Sequence, residues 1–245
     1  PIAVGPAALA APGDQIDKLT ADDAAQFDQF GFGADMDQNT VVIGANQEGP
    51  TNTFVGAVYV FNAETGAQLH KLLAADAEAF DYFGSKTAVF GSTAAIMPPG
   101  GTDSDGFAQS IAIHGSTVLV GAPSSDDFGS ATGSVFIYNA VDGSFVRRAL
   151  GSGTNTSDQF GWSVAVHGNL AVVGAPGRGP NGRVYLLDLA NDSEIAVIDH
   201  PESGINARFG SSVDTDGTTV VVGAENGHGN QSYSGSAYLF DTAGN

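Results

Sequence analysis

The residues able to do chemistry in this sequence are mostly carboxylates. There are 27 Asp and Glu against 8 Lys and Arg, with five His and no Cys. Without cysteine, disulfides, thiolate nucleophiles and Cys-ligated metals are excluded. His70, His114, His167, His200 and His228 include no pair at close metal-ligand spacing. The patterns His-Glu-x-x-His, Gly-x-Ser-x-Gly and the Walker-type loop are all absent. Residues 177–182 spell G-x-G-x-x-G, but Pro180 lies inside and no helical pattern follows. That segment reads as a turn between strands, not a nucleotide loop.

Some of these groups recur at fixed positions. Asp28, Asp81, Asp105 and Asp158 each stand two residues before a phenylalanine. Recurrence predicts a structural role, because Asp hydrogen-bonds its own turn. The functional alternative is a ring of carboxylates near a channel mouth. His114 and His167 also occupy equivalent places, which predicts turn residues over ligands.

The elements that position these residues are repeats. Phe30-Gly31, Phe107-Ala108, Phe160-Gly161 and Phe209-Gly210 open four units. Fourteen residues after each Phe comes Gly44-Ala45, Gly121-Ala122, Gly174-Ala175 or Gly223-Ala224, preceded by an aliphatic run such as Val41-Val42-Ile43. A further glycine, at Gly56, Gly133, Gly182 and Gly235, opens a third strand such as Val184-Tyr185-Leu186-Leu187. A more polar fourth strand follows around Leu69, Val146 and Ile195. Four short strands recurring about every 50 residues predict the blades of an all-β propeller. The aliphatic second strands should be buried on both faces, between neighbouring blades.

The last unit stops short of its fourth strand. Gly13-Asp14-Gln15-Ile16-Asp17-Lys18-Leu19 matches Gly66-Ala67-Gln68-Leu69-His70-Lys71-Leu72, and the next Phe lies 11 residues beyond the Leu in both. Residues 14–19 are therefore expected to complete the last blade and close the ring, since an unpaired sheet edge is a liability. Residues 14–245 then form one domain, with residues 1–13 as an N-terminal extension or linker. Residues 83–106 imitate only the first half of a unit. They predict an inserted hairpin on a four-bladed ring, with a degenerate fifth blade as the alternative.

In a meander, the loops joining second to third strands share a face with the connections between blades. That face is expected to carry Asp22, Asp23, Glu48, Asp76, Glu78, Asp126, Asp127, Glu202 and Glu225, together with Asp103 and Asp105 of the insertion. Few bases oppose them there: Lys86, Arg178 and Arg208. Asn46, Asn52, Phe54, Phe128, Asn226 and Tyr233 offer amides and rings for sugars. The ligand-binding candidates are Glu48, Asn52, Asp103, Asp105, Asp126, Asp127, Arg178, Glu225 and His228. Variable loops on a rigid scaffold are where function tends to lie.

Composition narrows the partners. A net charge of −19 disfavours nucleic acid and anionic membranes and favours cations or partners with basic patches. Its blander meaning is solubility in a salty or extracellular medium. No apolar run approaches the roughly 18 residues of a membrane span. A hydrophobic content of 42% is enough for a core and is unlike disorder.

The units resemble the FG-GAP repeat of integrin α-subunit heads and many bacterial extracellular proteins. Asp158-Gln159-Phe160-Gly161-Trp162-Ser163 leading to Val173-Gly174-Ala175-Pro176 is a close match, and Lys18-Leu19-Thr20 leading to Asp28-Gln29-Phe30-Gly31 resembles the bacterial subtype. The resemblance covers most of residues 14–245. It implies a propeller and a secreted or cell-surface location, within a larger surface or secreted assembly. Calcium-binding members carry a loop of the type Asp-x-Asp-x-Asp-Gly between the first two strands. Here those loops are short, and calcium wants six to eight oxygens. The family's calcium sites are read as lost and no cofactor as required. Asp35, Asp37, Asp214 and Asp216 are the residual metal candidates. The function expected is a non-catalytic binding, adhesion or structural module for a protein or glycan, acting through the acidic loops. The alternative is a polysaccharide lyase or hydrolase, since paired carboxylates run glycoside chemistry.

Overall fold

The structure is a computed structural model that describes residues 15–49, 54–73, 83–91, 93–97, 107–126, 130–202, 206–227 and 234–245. These contain strands and turns and no helix. The first sheet holds β1 (Phe30–Asp37), β2 (Thr40–Ala45), β3 (Ala57–Asn62) and β4 (Gln68–Leu72). The second holds β5 (Lys86–Phe90) and β6 (Thr93–Met97) among the described residues. The third holds β7 (Ser110–His114), β8 (Thr117–Ala122), β9 (Ser134–Asn139) and β10 (Phe145–Ala149). The fourth holds β11 (Ser163–His167), β12 (Leu170–Ala175), β13 (Arg183–Asp188) and β14 (Ser193–Asp199). The fifth holds β15 (Phe209–Thr215), β16 (Thr219–Ala224) and β17 (Ser236–Asp241). Every sheet is an antiparallel meander.

The first strands pack in succession, β1 on β5, β5 on β7, β7 on β11 and β11 on β15. β2, β8 and β12 are buried on both faces, as their apolar runs predict, whereas β16 buries one face and leaves Thr219 and Val221 exposed. Along β12, Ala171, Val173 and Ala175 face the third sheet, while Leu170 and Val172 face the fifth. Side chains alternate across a strand, so one run of aliphatics serves two junctions. Each fully buried Val or Leu contributes about 1.5–3 kcal/mol of apolar burial.

The repeated glycines explain how one sheet grips the next. The N–H groups of Phe83, Phe160 and Phe209 donate to the carbonyls of Val55, Thr132 and Asn181 on the preceding sheet. Gly133, at φ 83°, bridges Phe160, and a Cβ there would lie 2.1 Å from the Phe160 carbonyl oxygen. A Cβ on Gly121 would lie 2.0 Å from the carbonyl oxygen of Gly161. Only glycine permits both the positive φ and so close a backbone approach. The Phe ring stays within its own sheet, where Phe160 packs edge-on to Tyr185 and Phe209 to Tyr238. The Phe-Gly of one unit is thus a plug, and the Gly-Ala and following Gly of the unit before it form the socket.

One expectation about ring assembly is corrected and another is not shown. Residues 83–91 and 93–97 are not an excursion from a four-sheet ring. β5 sits between β1 and β7, and Ala88 and Val89 are buried there, so the segment holds a sheet position of its own and the degenerate fifth blade is the better description. Closure by residues 14–19 is not shown: residue 14 lies outside the described residues, residues 15–19 form no strand, and the fifth sheet ends on β17 among the described residues. Leu19 and Ala21 pack on the core of the first sheet instead, and the Asp22 N–H donates to Gln68 Oε1 at 3.0 Å. The physical reason is visible elsewhere in the repeat. Ala149 and Ile198 also precede a Phe by 11 residues, and each packs against the sheet that follows it. No packing comparable to the other junctions joins β15 to β1 among the described residues.

Candidate functional site

The meander puts the second-to-third-strand loops and the sheet connections on one face, as the sequence pattern requires. On the first sheet this face carries an ordered charge network. Lys71 Nζ donates to Asp23 Oδ2 at 2.6 Å and to Glu48 Oε1 at 2.7 Å, and Tyr59 donates its hydroxyl to Asp23 Oδ1 at 2.9 Å. Burial, with the bond to Asp23, pushes the Tyr59 phenol up to about 12. Burial works to lower Lys71, but its bonds to Asp23 and Glu48 outweigh this and hold the ammonium above its ordinary value. The hydrogen bond from Lys71 lowers Asp23 against the effect of burial.

On the fourth sheet, Asp158 is buried and accepts from Arg178 Nη1 at 3.0 Å. It also accepts from the Asn155 N–H, and Asp28 accepts from the Ala25 N–H at 2.7 Å. The two described aspartates that precede a repeat Phe by two residues therefore close their own turns, which is the structural reading. On the fifth sheet, Arg208 pairs with Glu225 and lies 5.0 Å over the ring of Trp162 on the fourth.

Two concavities lie on this face. One, of about 450 Å³, is lined by the turn Arg178–Gly182 with Arg183, Asp199 and His200. Arg183 and Asp199 form an ion pair at 2.6 Å, and His200 Nε2 meets the Tyr238 hydroxyl at 3.1 Å. The second, of about 340 Å³, is lined by residues at the starts of the first strands, among them Lys86, Gln109, Trp162 and Ser211. It lies where the starts of β5, β7, β11 and β15 come together.

Of the candidates from sequence, Glu48, Arg178 and Glu225 each have a partner on their own sheet, and Asp126 is exposed. They do not share one pocket; only Arg178 lines a cleft described above. Asn52, Asp103, Asp105, Asp127 and His228 lie outside the described residues.

The metal candidates sit at the opposite face. Asp35 Oδ2 accepts from the Val89 N–H at 2.7 Å and Asp37 Oδ2 from the Gly91 N–H at 2.6 Å, both across the junction with the second sheet. Asp214 accepts from the Thr215 N–H. Asp216 accepts from the Thr219 and Thr218 N–H groups and the Thr218 hydroxyl, which holds its carboxyl down at about 2. One oxygen of each of these carboxylates is therefore already hydrogen-bonded, and the four residues belong to two different units. No group of three or more His, Asp or Glu able to hold a metal ion occurs among the described residues.

Sequence reasoning missed two arrangements. The Trp162–Arg208–Glu225 group joins residues from two units, and no spacing within one unit reveals it. The second was within reach. His114 and His167 hold equivalent places on adjoining sheets, and equivalent places are neighbours around the axis. Their rings lie 4.2 Å apart, and Phe90 continues the stack at 4.4 Å from His114.

Antiparallel four-stranded sheets gripped edge to edge around their first strands are the blades of a β-propeller. A family model described as the FG-GAP repeat matches residues 14–61, 90–138, 144–187 and 201–240, more than half of the chain. The chain belongs to the FG-GAP repeat family, whose propellers are binding and adhesion modules. No curated protein matches it significantly. No helix long and apolar enough to cross a membrane occurs among the described residues.

Proposed function

We propose that this is an extracellular, non-catalytic module that binds a protein or glycan partner on the face bearing the second-to-third-strand loops. The observation that carries this reading is the concentration of ordered charge, aromatic surface and concavity on that one face. The Asp23–Lys71–Glu48 network, the Arg208–Glu225 pair over Trp162 and two clefts all lie there. Pre-organised groups on a rigid scaffold lose little entropy on binding. FG-GAP repeats occur in extracellular proteins, which supports the location.

A glycan array and a panel of Lys/Arg-rich peptides, each probed with the whole chain at low and high salt, test the reading. Glu48→Gln, Asp126→Asn and Asp127→Asn together should weaken a salt-sensitive hit about tenfold or more, because rim charges set encounter and salt dependence. The melting temperature should barely move. Unchanged binding by this triple variant would place recognition elsewhere.

A further inference from the structure

The cavity where the starts of β5, β7, β11 and β15 come together differs in chemistry from the rest of its face. Its lining belongs to four consecutive sheets, and the packing that joins them lies within this chain. The chain carries 27 carboxylates, yet none of them lines this cavity among the described residues. The lining holds one cation instead, Lys86, and no ion pair to Lys86 occurs among the described residues.

The repeat explains how this lining arises. The residue after each plug falls at the same place in every unit: Phe32, Ser85, Gln109, Trp162 and Ser211. Close backbone approach holds the plug and socket nearly constant, whereas this next residue changes its chemistry from unit to unit. Its backbone is fixed all the same. The Trp162 N–H donates to the Gly174 carbonyl at 3.2 Å, and the Gln109 N–H to the Gly121 carbonyl at 3.1 Å. Arg208, itself paired with Glu225, lies 5.0 Å over the Trp162 ring and holds the indole in place. Ser110 and Ser163, also in the lining, donate their hydroxyls to the carbonyls of Gly161 and Gly210, both at 2.9 Å, and keep lone pairs as acceptors.

The cavity thus combines an indole, a planar amide, hydroxyls and an ammonium without an ion pair. Its volume of about 340 Å³ is within the range of small-molecule sites. A cationic ligand would meet Lys86 and Arg208 with no carboxylate of the lining to receive it. A sugar ring suits these groups. Its C–H edge carries partial positive charge that meets the negative face of an indole, and its hydroxyls both donate and accept. We propose that this cavity binds a saccharide unit bearing a carboxylate, a uronic acid or similar sugar acid. The ring stacks on Trp162, the hydroxyls bond to Gln109 and Ser211, and the carboxylate takes a charge-assisted bond from Lys86. The inference rests on the reading that this face binds the partner, and it names the ligand class that this part of the face takes.

The chain has a single tryptophan, so its emission reports on this cavity. Titrating the whole chain with glucuronic or galacturonic acid should give a saturable change in emission. Glucose and galactose should bind about tenfold more weakly, because they lack the group that Lys86 bonds. Lys86→Gln should bring the acids down to the level of the neutral sugars, and Gln109→Ala should weaken acids and neutral sugars alike. The triple variant at Glu48, Asp126 and Asp127 should bind the acids no more weakly than the unaltered chain, so this site and the wider reading of the face fail separately. No saturable change with any of these sugars would overturn the proposal. So would equal affinity for the acids and their neutral counterparts, or a Lys86→Gln variant that keeps the preference for acids. N-acetylglutamate binding as tightly as glucuronic acid would make this a site for acidic peptides, and would overturn it too.

Discussion

The second and fourth sheets hold equivalent places in the arc, yet one is half the size of the other. β11 and β5 each lie between the first strands of two neighbours. The fourth sheet continues through β13 and β14, while the second ends at β6 among the described residues. The junction chemistry is nonetheless the same. Gly56 bridges Phe83 as Gly133 bridges Phe160, and Ala88 and Val89 are buried. The arc is therefore built by the first two strands and the plug, and the outer strands add width. Both sheets are also tied to the sheet before them by side-chain acceptors, His114 taking the Gly168 N–H of the fourth at 3.0 Å. Asp35 and Asp37 of β1 supply acceptors to the β5 backbone, and Phe90 stacks on His114 of β7.

The largest test of this comparison removes the half sheet. Replacing residues 85–106 with a short glycine-serine link should abolish cooperative unfolding in urea, because it strips a partner from both the first and third sheets. A transition with unchanged midpoint and slope would mean that the segment is an ornament. Next in size is a pair of truncations. Phe160→Ala should cost about 3–5 kcal/mol, since the ring is fully buried in the third-to-fourth junction. Phe83→Ala should cost clearly less, because Phe83 is only half-buried beside a two-stranded sheet. Equal costs in urea titrations would show that the short sheet is held as tightly as the full one.

The parts of this design that were legible in the sequence are those that repeat. The Phe-Gly plug, the buried second strands and the loop face all follow from spacing in one dimension. The role of residues 83–106 was not legible, because half a pattern fits an excursion and a short blade equally well. What decides is the junction, where Ala88 and Val89 find partners far away in the chain. The same blindness applied to Asp35 and Asp37. As residues they resemble the remains of a cation loop, but β5 brings backbone donors that their own loop does not contain. The fit of Lys18-Leu19 to a fourth strand was real as a pattern. Its Leu serves the contact with the following sheet, which needs no pairing to the last one.

A smaller effect should appear with pH. Burial, and the closeness of His167, hold His114 below its ordinary value of 6.5, against the opposing pull of Asp37. Above 6.5 both the folded and unfolded chains keep this imidazole neutral, and it has no effect on stability. As the pH falls through 6.5 the unfolded chain takes up the proton first, so stability declines until the lower folded pKa is passed. Thermal midpoints measured downward from pH 7.5 should fall, and His114→Gln should flatten the part of the fall that lies just below 6.5. An identical profile in the variant would show that the stack between the second and fourth sheets does not sense protons.

The smallest effect expected is that of calcium. The short strand-one-to-two loops carry carboxylates, but those of Asp35 and Asp37 accept N–H groups from β5, and that of Asp216 accepts three donors in its own turn. A carboxylate bonded to backbone N–H groups through one oxygen keeps the other for a cation, but six to eight oxygens would have to converge. Here the carboxylates hold the half sheet directly. Melts in calcium and in a chelator should therefore nearly coincide, whereas Asp35→Ala with Asp37→Ala should lower the midpoint in both, since each buried backbone donor left unpaired costs about 1–3 kcal/mol. A calcium-dependent rise of about 10 °C or more would mean that the cation binds the native state strongly, by mass action. If the double variant abolished that rise, these two aspartates would be ligands and their bonds to β5 would belong only to the metal-free state.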